Sequence, residues 1–168
     1  MKSLVFFLFV AIPSFALASQ QISTKAIPEN GFLVRLSYLD IGQNNGGHLS
    51  TGVVESGVRG WFNPSYYYAG VIGAYPLQLD DKEGNVVGGT FSLGLGWSWD
   101  RKILLESGLD YHTWGGAINA TTGLYGKIIM PFKTDGSTDF FIGLSVFGST
   151  APIAPQSLIQ LGISQVFK

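Results

Sequence analysis

The sequence TFSLGLGWSW, from Thr90 to Trp99, alternates strictly between large apolar residues and small or polar ones. Successive side chains of a β-strand point to opposite faces, so one face of this segment would carry only phenylalanine, leucine and tryptophan. The other face would carry only glycine, serine and threonine. A helix would scatter the large residues around its circumference. The segment therefore predicts a strand with one apolar wall and one small, polar wall.

Seven further segments of the sequence show the same two-residue period. Together they predict strands at 31–40, 50–62, 65–77, 90–99, 103–114, 117–132, 138–148 and 157–167. Tight connections rich in turn formers are predicted at 63–64, 100–102 and 133–137, a short link near 115–116, and longer links at 41–49, 78–87 and 149–156. If the chain starts in the periplasm, the three tight turns all lie on the periplasmic side. That asymmetry is typical of bacterial transmembrane barrels.

The composition indicates which way the apolar faces point. Only 12% of the 168 residues are charged, 46% are hydrophobic, and the mean hydropathy is +0.27. A soluble barrel would need a charged outer face, whereas the non-apolar faces here are mostly glycine, serine and threonine. We therefore predict an all-β protein over 31–168, an eight-stranded antiparallel up-and-down transmembrane β-barrel with its apolar faces toward lipid. A soluble periplasmic barrel is the alternative fold.

The N-terminal residues have the features of an export signal. A short basic start precedes the apolar run LVFFLFVAI at 4–12, and Ala16-Leu17-Ala18 matches the small-x-small pattern before a cleavage site. We predict a signal peptide at 1–18 and a polar lead-in at 19–30. The chain has no cysteine and a net charge of −1, which exclude a disulfide scaffold and argue against a nucleic-acid partner.

Aromatic residues collect near both predicted ends of the strands. On the tight-turn side these are Trp61, Phe62, Tyr66, Trp97, Trp99, Phe132, Phe140 and Phe167; on the other side they are Tyr38, Tyr75, Tyr111 and Trp114. Membrane barrels carry such girdles at both interfaces with water. We therefore predict two aromatic girdles on the outer surface.

The whole pattern resembles the small outer-membrane β-barrel proteins of Gram-negative bacteria, the class that includes the OmpA transmembrane domain, OmpX and the opacity proteins. The resemblance implies an outer-membrane location and contact with outer-membrane lipid and lipopolysaccharide. It also implies recognition by the barrel-assembly machinery through a terminal aromatic residue. Here Phe167 lies one place before the end of the chain. We expect no cofactor and no metal, and the sequence leaves the oligomeric state open.

The faces opposite the apolar ones carry ionisable residues, which would line the lumen. They are Arg35, Glu55, Arg59, Glu106, Asp110, His112, Lys127 and Asp139. An eight-stranded barrel is just wide enough for side chains to fill it, and a charge in so narrow a space is costly unless paired. Strand adjacency predicts the pairs Arg35 with Glu55 and Glu106 with Lys127. We interpret the set as an ion-pair network closing the barrel; a narrow polar pore is the alternative.

Two groups of residues raise the alternative of a barrel enzyme that modifies lipid A, a deacylase or an acyltransferase. Asp110 and His112 share one face and could orient a general base, with Ser92 as a serine on the preceding strand at poorly matched depth. His48 and Ser50 have a His-x-Ser spacing but no obvious acid nearby. We assign no catalytic residue from these patterns. The sequence favours a non-enzymatic barrel with a structural, surface-interaction or envelope-integrity role.

Overall fold

A computed structural model describes residues 30–168, apart from 44, 79–84, 100–101, 115–119, 133–136 and 149–154. The predicted signal peptide at 1–18 and nearly all of the lead-in at 19–30 lie outside the described residues. The strands are β1 Gly31–Gln43, β2 His48–Trp61, β3 Tyr66–Gln78, β4 Asn85–Trp99, β5 Ile103–Thr113, β6 Thr121–Pro131, β7 Thr138–Phe147 and β8 Pro155–Phe167. No helix in the described part of the chain is long and apolar enough to cross a membrane.

The eight strands form one closed antiparallel barrel in chain order. Each strand pairs with the next along the chain, and β1 pairs with β8, which closes the sheet. Closure matters because lipid offers no hydrogen bonds to the edge of an open sheet. The prediction of an eight-stranded up-and-down barrel is confirmed.

The predicted orientation of the strands is also confirmed. Leu93 and Leu95 on β4 are 51% and 65% exposed on the outer surface, whereas Ser92 between its apolar neighbours is 2% exposed inside the barrel. On β7, Ile142 points outward at 41% exposure while Asp139 is fully buried. The barrel therefore has an apolar exterior and a polar and ionic interior, the reverse of a soluble barrel.

The first hairpin differs from its prediction. The predicted loop at 41–49 is mostly strand, because β1 continues to Gln43 and β2 starts at His48. Gly46 makes the tight turn possible, with a φ of 83° in the left-handed region. Asn45 stabilises it by accepting a hydrogen bond from the Gly47 backbone at 2.8 Å. The polar residues of this segment are typical of loops, but here they belong to strand ends beyond the apolar band.

The starts of two other strands differ from the prediction as well. Strand β4 begins at Asn85, five residues before the predicted start at 90, and pairs with the end of β3. Strand β6 begins at Thr121 instead of 117. Of the residues between, 117–119 lie outside the described part of the chain.

Apolar clusters fill both ends of the lumen. The cluster at the end away from the chain termini, the end predicted to face outward, consists of Leu39, Ile41, Val53, Tyr75, Leu77, Trp114, Phe147 and Leu158, and we call it the outer cap. The cluster toward the end that holds the chain termini, predicted to face the periplasm, consists of Tyr67, Ala69, Leu104, Ile129 and Phe141, and we call it the periplasmic cap. Arg35, Glu55, Glu106, Asp110 and Lys127 lie between the two caps, whereas Asp139 precedes the periplasmic-cap residue Phe141 along β7 and its partner Arg59 lies beside Ala69. The sequence did not predict this layering, because these apolar residues stand at inward positions of otherwise polar faces.

Two members of the predicted outer girdle are inside the barrel, so that part of the girdle prediction is wrong. Tyr75 and Trp114 are each 1% exposed and belong to the outer cap. Tyr75 stands at an inward position of β3, and Trp114 follows β5 directly after its last residue, Thr113. The Trp114 indole donates a hydrogen bond to Thr121 Oγ1 at 2.7 Å. The remaining predicted girdle residues at this end, Tyr38 and Tyr111, do point outward. Trp61, predicted for the other girdle, packs against the periplasmic cap.

Glycines on the inner wall of β4 receive tyrosine rings from other strands. A Cβ at Gly94 would lie 1.9 Å from the Tyr125 hydroxyl oxygen, and one at Gly96 would lie 2.0 Å from the Tyr67 ring. Carbon atoms cannot approach so closely, so both positions require glycine for space. The small wall predicted for residues 90–99 is thus the surface against which large interior side chains pack.

Candidate functional site

The centre of the lumen holds an ion pair that spans the barrel. Arg35 Nη2 donates to both carboxylate oxygens of Glu106 at 3.1 Å, and both side chains are almost wholly buried. The Tyr125 hydroxyl donates a further bond to Glu106 Oε1 at 3.0 Å. The prediction paired Arg35 with Glu55, its cross-strand neighbour. Arginine instead reaches Glu106 because its long, planar guanidinium presents several donors across so narrow a lumen.

A second ion pair lies closer to the periplasmic cap. Arg59 Nη1 donates to Asp139 Oδ2 at 2.7 Å, and the Ser164 hydroxyl donates to the same oxygen at 3.2 Å. The guanidinium also lies over the Tyr67 ring, 5.5 Å from its centroid. Neither charge is exposed beyond a few per cent, so each depends on the other for compensation.

Lys127 does not form the predicted pair with Glu106, although the two are cross-strand neighbours. No carboxylate of a described residue lies within 4.0 Å of its ammonium group, since Glu106 is already engaged by Arg35. The ammonium instead lies over two rings, 4.6 Å from the Tyr125 centroid and 5.8 Å from the Phe141 centroid. Cation–π attraction therefore replaces the expected ion pair.

Glu55 finds an amide partner in place of a cation. Gln160 Nε2 donates to Glu55 Oε2 at 2.9 Å and to Ser37 Oγ at 2.8 Å, which links β8 to β1 and β2. Gln160 was absent from the set of candidate residues. The signal that identifies it is its inward position on β8, opposite Gly143 on β7.

Asp110 and His112 form an Asp–His pair inside the barrel, which we call the inner pair. The serines beside it bond to the aspartate and not to the histidine. Ser92 and Ser145 both donate to the Asp110 carboxylate. His112 Nε2 lies 3.8 Å from Asp110 Oδ2, and its Nδ1 lies 3.2 Å from the Tyr75 hydroxyl. The expected depth mismatch of Ser92 is wrong, because Ser92 is the direct cross-strand neighbour of Asp110. A nucleophilic serine must donate its hydrogen bond to the histidine. Because both serines donate to the aspartate here, this arrangement of hydrogen bonds does not make either of them a nucleophile.

The space around the inner pair is closed. A narrow cavity there is lined by Leu39, Val53, Glu55, Thr90, Ser92, Asp110, His112 and Gln160. Above it, the His112 ring stacks on Trp114 at 5.1 Å and meets the edge of Phe147 at 5.4 Å. Rings of the outer cap thus pack over the inner pair.

A second Asp–His pair lies on the exterior at the outer end, and we call it the rim pair. His48 Nδ1 lies 3.4 Å from Asp40 Oδ1, across β2 and β1. The side chains are 67% and 36% exposed. Ser50 is the direct cross-strand neighbour of Asp40 and shares the outer face of β2 with His48. The sequence placed no acid near His48 and Ser50; the register of β1 against β2 supplies Asp40.

The exterior below the rim pair is apolar. Tyr38 is two residues from Asp40 on the outer face of β1, and Val54 is two residues from Gly52 on the outer face of β2; they are 50% and 59% exposed. Outward-facing apolar residues continue from there to the periplasmic end, where Phe32 and Phe167 are cross-strand neighbours. A band of this kind is what a lipid-facing wall requires.

Comparison with known proteins identifies the fold. No family model and no curated protein sequence matches the chain. The crystal structure of Ail, the attachment invasion locus protein of Yersinia pestis, superposes with a TM-score of 0.55 at 11% identity, over 84% of this chain and all of the other (100%). The backbone structure of the Yersinia pestis outer membrane protein Ail in a phospholipid bilayer nanodisc gives 0.50 at 9% identity, over 83% and 100%. The chain thus has the fold of a small outer-membrane barrel.

Proposed function

We propose that this protein resides in the outer membrane of a Gram-negative bacterium as a closed, non-conducting barrel. Its role there is structural, at the cell surface or in envelope integrity. The observation that carries the proposal is the combination of an apolar exterior with a lumen in which the described side chains are packed and mostly buried. The barrel fold shared with Ail, a protein studied in a phospholipid bilayer, supports the location.

The lumen argues for a closed barrel. Ions crossing a pore need a continuous polar path, whereas an apolar cluster lies toward each end of this lumen. The buried charges bond to one another or to neutral partners, as Arg35 does to Glu106 and Arg59 to Asp139. We propose that these pairs hold opposite walls together. Breaking one by removing a single partner would leave a buried charge uncompensated.

The first outer hairpin favours a small role at the cell surface over a large adhesive one. It projects only a few residues beyond Tyr38, and its turn is tight at Gly46. This hairpin therefore presents little surface to a large protein partner. Lipid and lipopolysaccharide surround the wall on every side in the proposed location, and Phe167 at the end of β8 is the residue available to the assembly machinery.

Two measurements test the proposal. The protein expressed with its leader should fractionate with the outer membrane and change its gel mobility on heating, because a closed barrel resists unfolding by detergent at room temperature. In planar bilayers the purified barrel should give no stepwise conductance. Recovery in the soluble periplasmic fraction would refute the location. Regular conductance steps that vanish in an Arg35→Ala/Lys127→Ala variant would establish the pore alternative.

A further inference from the structure

We propose that the lumen binds a proton on His112, and that the resulting imidazolium is a pH-sensitive latch between the outer cap and the charged residues below it. The ring is 3% exposed, and the closed-barrel function gives it no task of its own. This inference rests on the proposed function, since the latch holds the cap of a closed barrel in place.

The hydrogen bonds of Tyr75 place a hydrogen atom on His112 Nδ1. The Tyr75 hydroxyl lies 3.1 Å from the backbone carbonyl oxygen of Thr113 and 3.2 Å from Nδ1. A carbonyl oxygen can only accept a hydrogen bond, so the single hydroxyl proton is donated to Thr113. The hydroxyl oxygen then accepts from Nδ1, which must therefore be protonated.

The other nitrogen of the ring faces a carboxylate. His112 Nε2 lies 3.8 Å from Asp110 Oδ2, and the two oxygens of Asp110 accept hydrogen bonds from Ser92 and Ser145. A lone pair on Nε2 would point at this negative group, whereas an N–H is attracted to it. Both ring nitrogens therefore carry a proton, and the ring carries a positive charge.

The balance of charge inside the barrel favours the same protonation state. Four carboxylates and three cations of the described residues are buried there: Glu55, Glu106, Asp110, Asp139, Arg35, Arg59 and Lys127. Three positive and four negative charges sum to −1 when His112 is neutral, and to zero when it is an imidazolium. An uncompensated charge inside a membrane barrel is costly. The proton on His112 supplies the missing positive charge.

The charged groups around the ring are mostly negative. Asp110 on β5 lies beside it, and Glu55 on β2 lines the same narrow cavity. Lys127 on β6 is a cation within electrostatic range of Asp110, and Tyr75 on β3 is the remaining titratable neighbour. Among the described residues, the other strands present neutral side chains to the ring or the cavity: Leu39, Thr90, Ser92, Phe147 and Gln160. A positive charge is therefore stabilised at this position.

The ring of His112 joins the outer cap to the charged residues. It stacks on Trp114 with centroids 5.1 Å and planes 15° apart, and it meets Phe147 edge-on at 83°. Both aromatic residues belong to the outer cap. A cation on an aromatic face is attracted by the electrons of that ring, so the imidazolium is held by the cap on one side and by Asp110 on the other. Loss of the proton would remove both attractions together.

The first experiment reads the protonation state. The full mature chain, labelled with 15N at histidine, is folded into phospholipid vesicles, checked by its heat-dependent gel shift and measured by NMR at neutral pH. We expect both ring nitrogens of His112 to have the shifts of protonated imidazole nitrogens. The variant His48→Gln removes the signals of the other histidine of the chain and so assigns those of His112. One unprotonated nitrogen in a folded barrel would overturn this inference and leave the closed barrel standing.

The second experiment tests the balance of charge. Glu55→Gln removes one negative charge from the cavity without touching the ring, so the proton affinity of His112 should fall about tenfold in an NMR titration. Ser56→Ala, a change at the adjacent residue on the outer face of β2, should leave that affinity unchanged. Equal affinities in Glu55→Gln and the wild type would refute the proposed compensation of charge.

The third experiment tests the latch in the His48→Gln background. A histidine in an unfolded chain loses its proton at about pH 6.5. The urea midpoint should therefore fall as the pH rises above this value, until the folded ring loses its own proton. Adding His112→Gln should remove this fall. Parallel midpoints with and without His112→Gln would refute the latch, whereas conductance at neutral pH or recovery in the soluble fraction would instead contradict the proposed function.

Discussion

The inner pair and the rim pair are both Asp–His pairs with a serine close by on the same small barrel, and they differ in burial and in hydrogen bonding. The inner side chains of Asp110 and His112 are each 4% exposed, with two serine hydroxyls on the carboxylate. The rim side chains of His48 and Asp40 are 67% and 36% exposed, with Nδ1 on the carboxylate. Burial makes the first pair a part of the packing. Exposure at the lipid boundary leaves the second pair accessible to a ligand.

The difference shows that residue types at suitable spacing do not by themselves define a site. Asp110 and His112 are two residues apart on one strand, and this spacing suggested a base with its acid. The structure uses that carboxylate as an acceptor for Ser92 and Ser145, which join β4 and β7 to β5. At the rim, no spacing within one strand suggested the acid, because Asp40 comes from the neighbouring strand.

The largest expected effect is the difference in unfolding free energy between a variant that lacks Asp110 and one that lacks Asp40. Asp110→Ala leaves two buried serine hydroxyls and the His112 ring without their acceptor, which should cost roughly 2–5 kcal/mol of unfolding free energy. Asp40→Ala removes one partner of an exposed pair and should cost less than about 1 kcal/mol. Urea unfolding in vesicles, followed by tryptophan fluorescence, measures both. Equal costs would mean that the inner pair is not the structural one.

A second prediction concerns the glycines that make room inside. Gly94→Ala would push a methyl group against the Tyr125 hydroxyl, which is held by Glu106 at 3.0 Å, so the ring cannot withdraw without breaking that bond. Such overpacking costs about 1–3 kcal/mol. The control is Gly52→Ala on the outer face near the rim pair, where the nearest heavy atom to a new Cβ is Ser37 O at 3.9 Å. The same unfolding assay should show little change for Gly52→Ala; a loss as large as that of Gly94→Ala would contradict the role of the small β4 wall.

The barrel fold could be predicted from the sequence because the alternation of side chains is a property of each strand by itself. Alternation from Thr90 to Trp99 fixes which side chains share a face, and the shortage of charge fixes which face meets lipid. The errors arose where the pattern and the composition disagree. Tyr75 and Trp114 resemble girdle residues because they are aromatic and lie near strand ends. The inward–outward alternation of the chain nevertheless places both side chains inside the barrel, and the structure follows the alternation.

The partners of the ionisable residues were harder to predict for a geometric reason. Strand adjacency gives the neighbour of each residue, and it correctly places Glu55 beside Arg35. A closed lumen adds contacts across its diameter, and a long side chain uses them, as Arg35 does to reach Glu106 on β5. Those contacts depend on how the barrel closes. No pattern within a single strand contains that information.

The smallest expected effect is the coupling within the rim pair. A double-mutant cycle with Asp40→Asn and His48→Gln should give a coupling free energy of about 0.2–1 kcal/mol, because water and ions screen a pair so exposed. Raising the salt concentration toward 1 M should reduce it further, since the screening length falls to roughly 3 Å. The same cycle with Asp110→Asn and His112→Gln should be insensitive to salt, because that pair is buried. A rim coupling that exceeded the inner one and survived high salt would mean that Asp40 and His48 stabilise the barrel as strongly as a buried pair does, and the contrast between the two pairs would be lost.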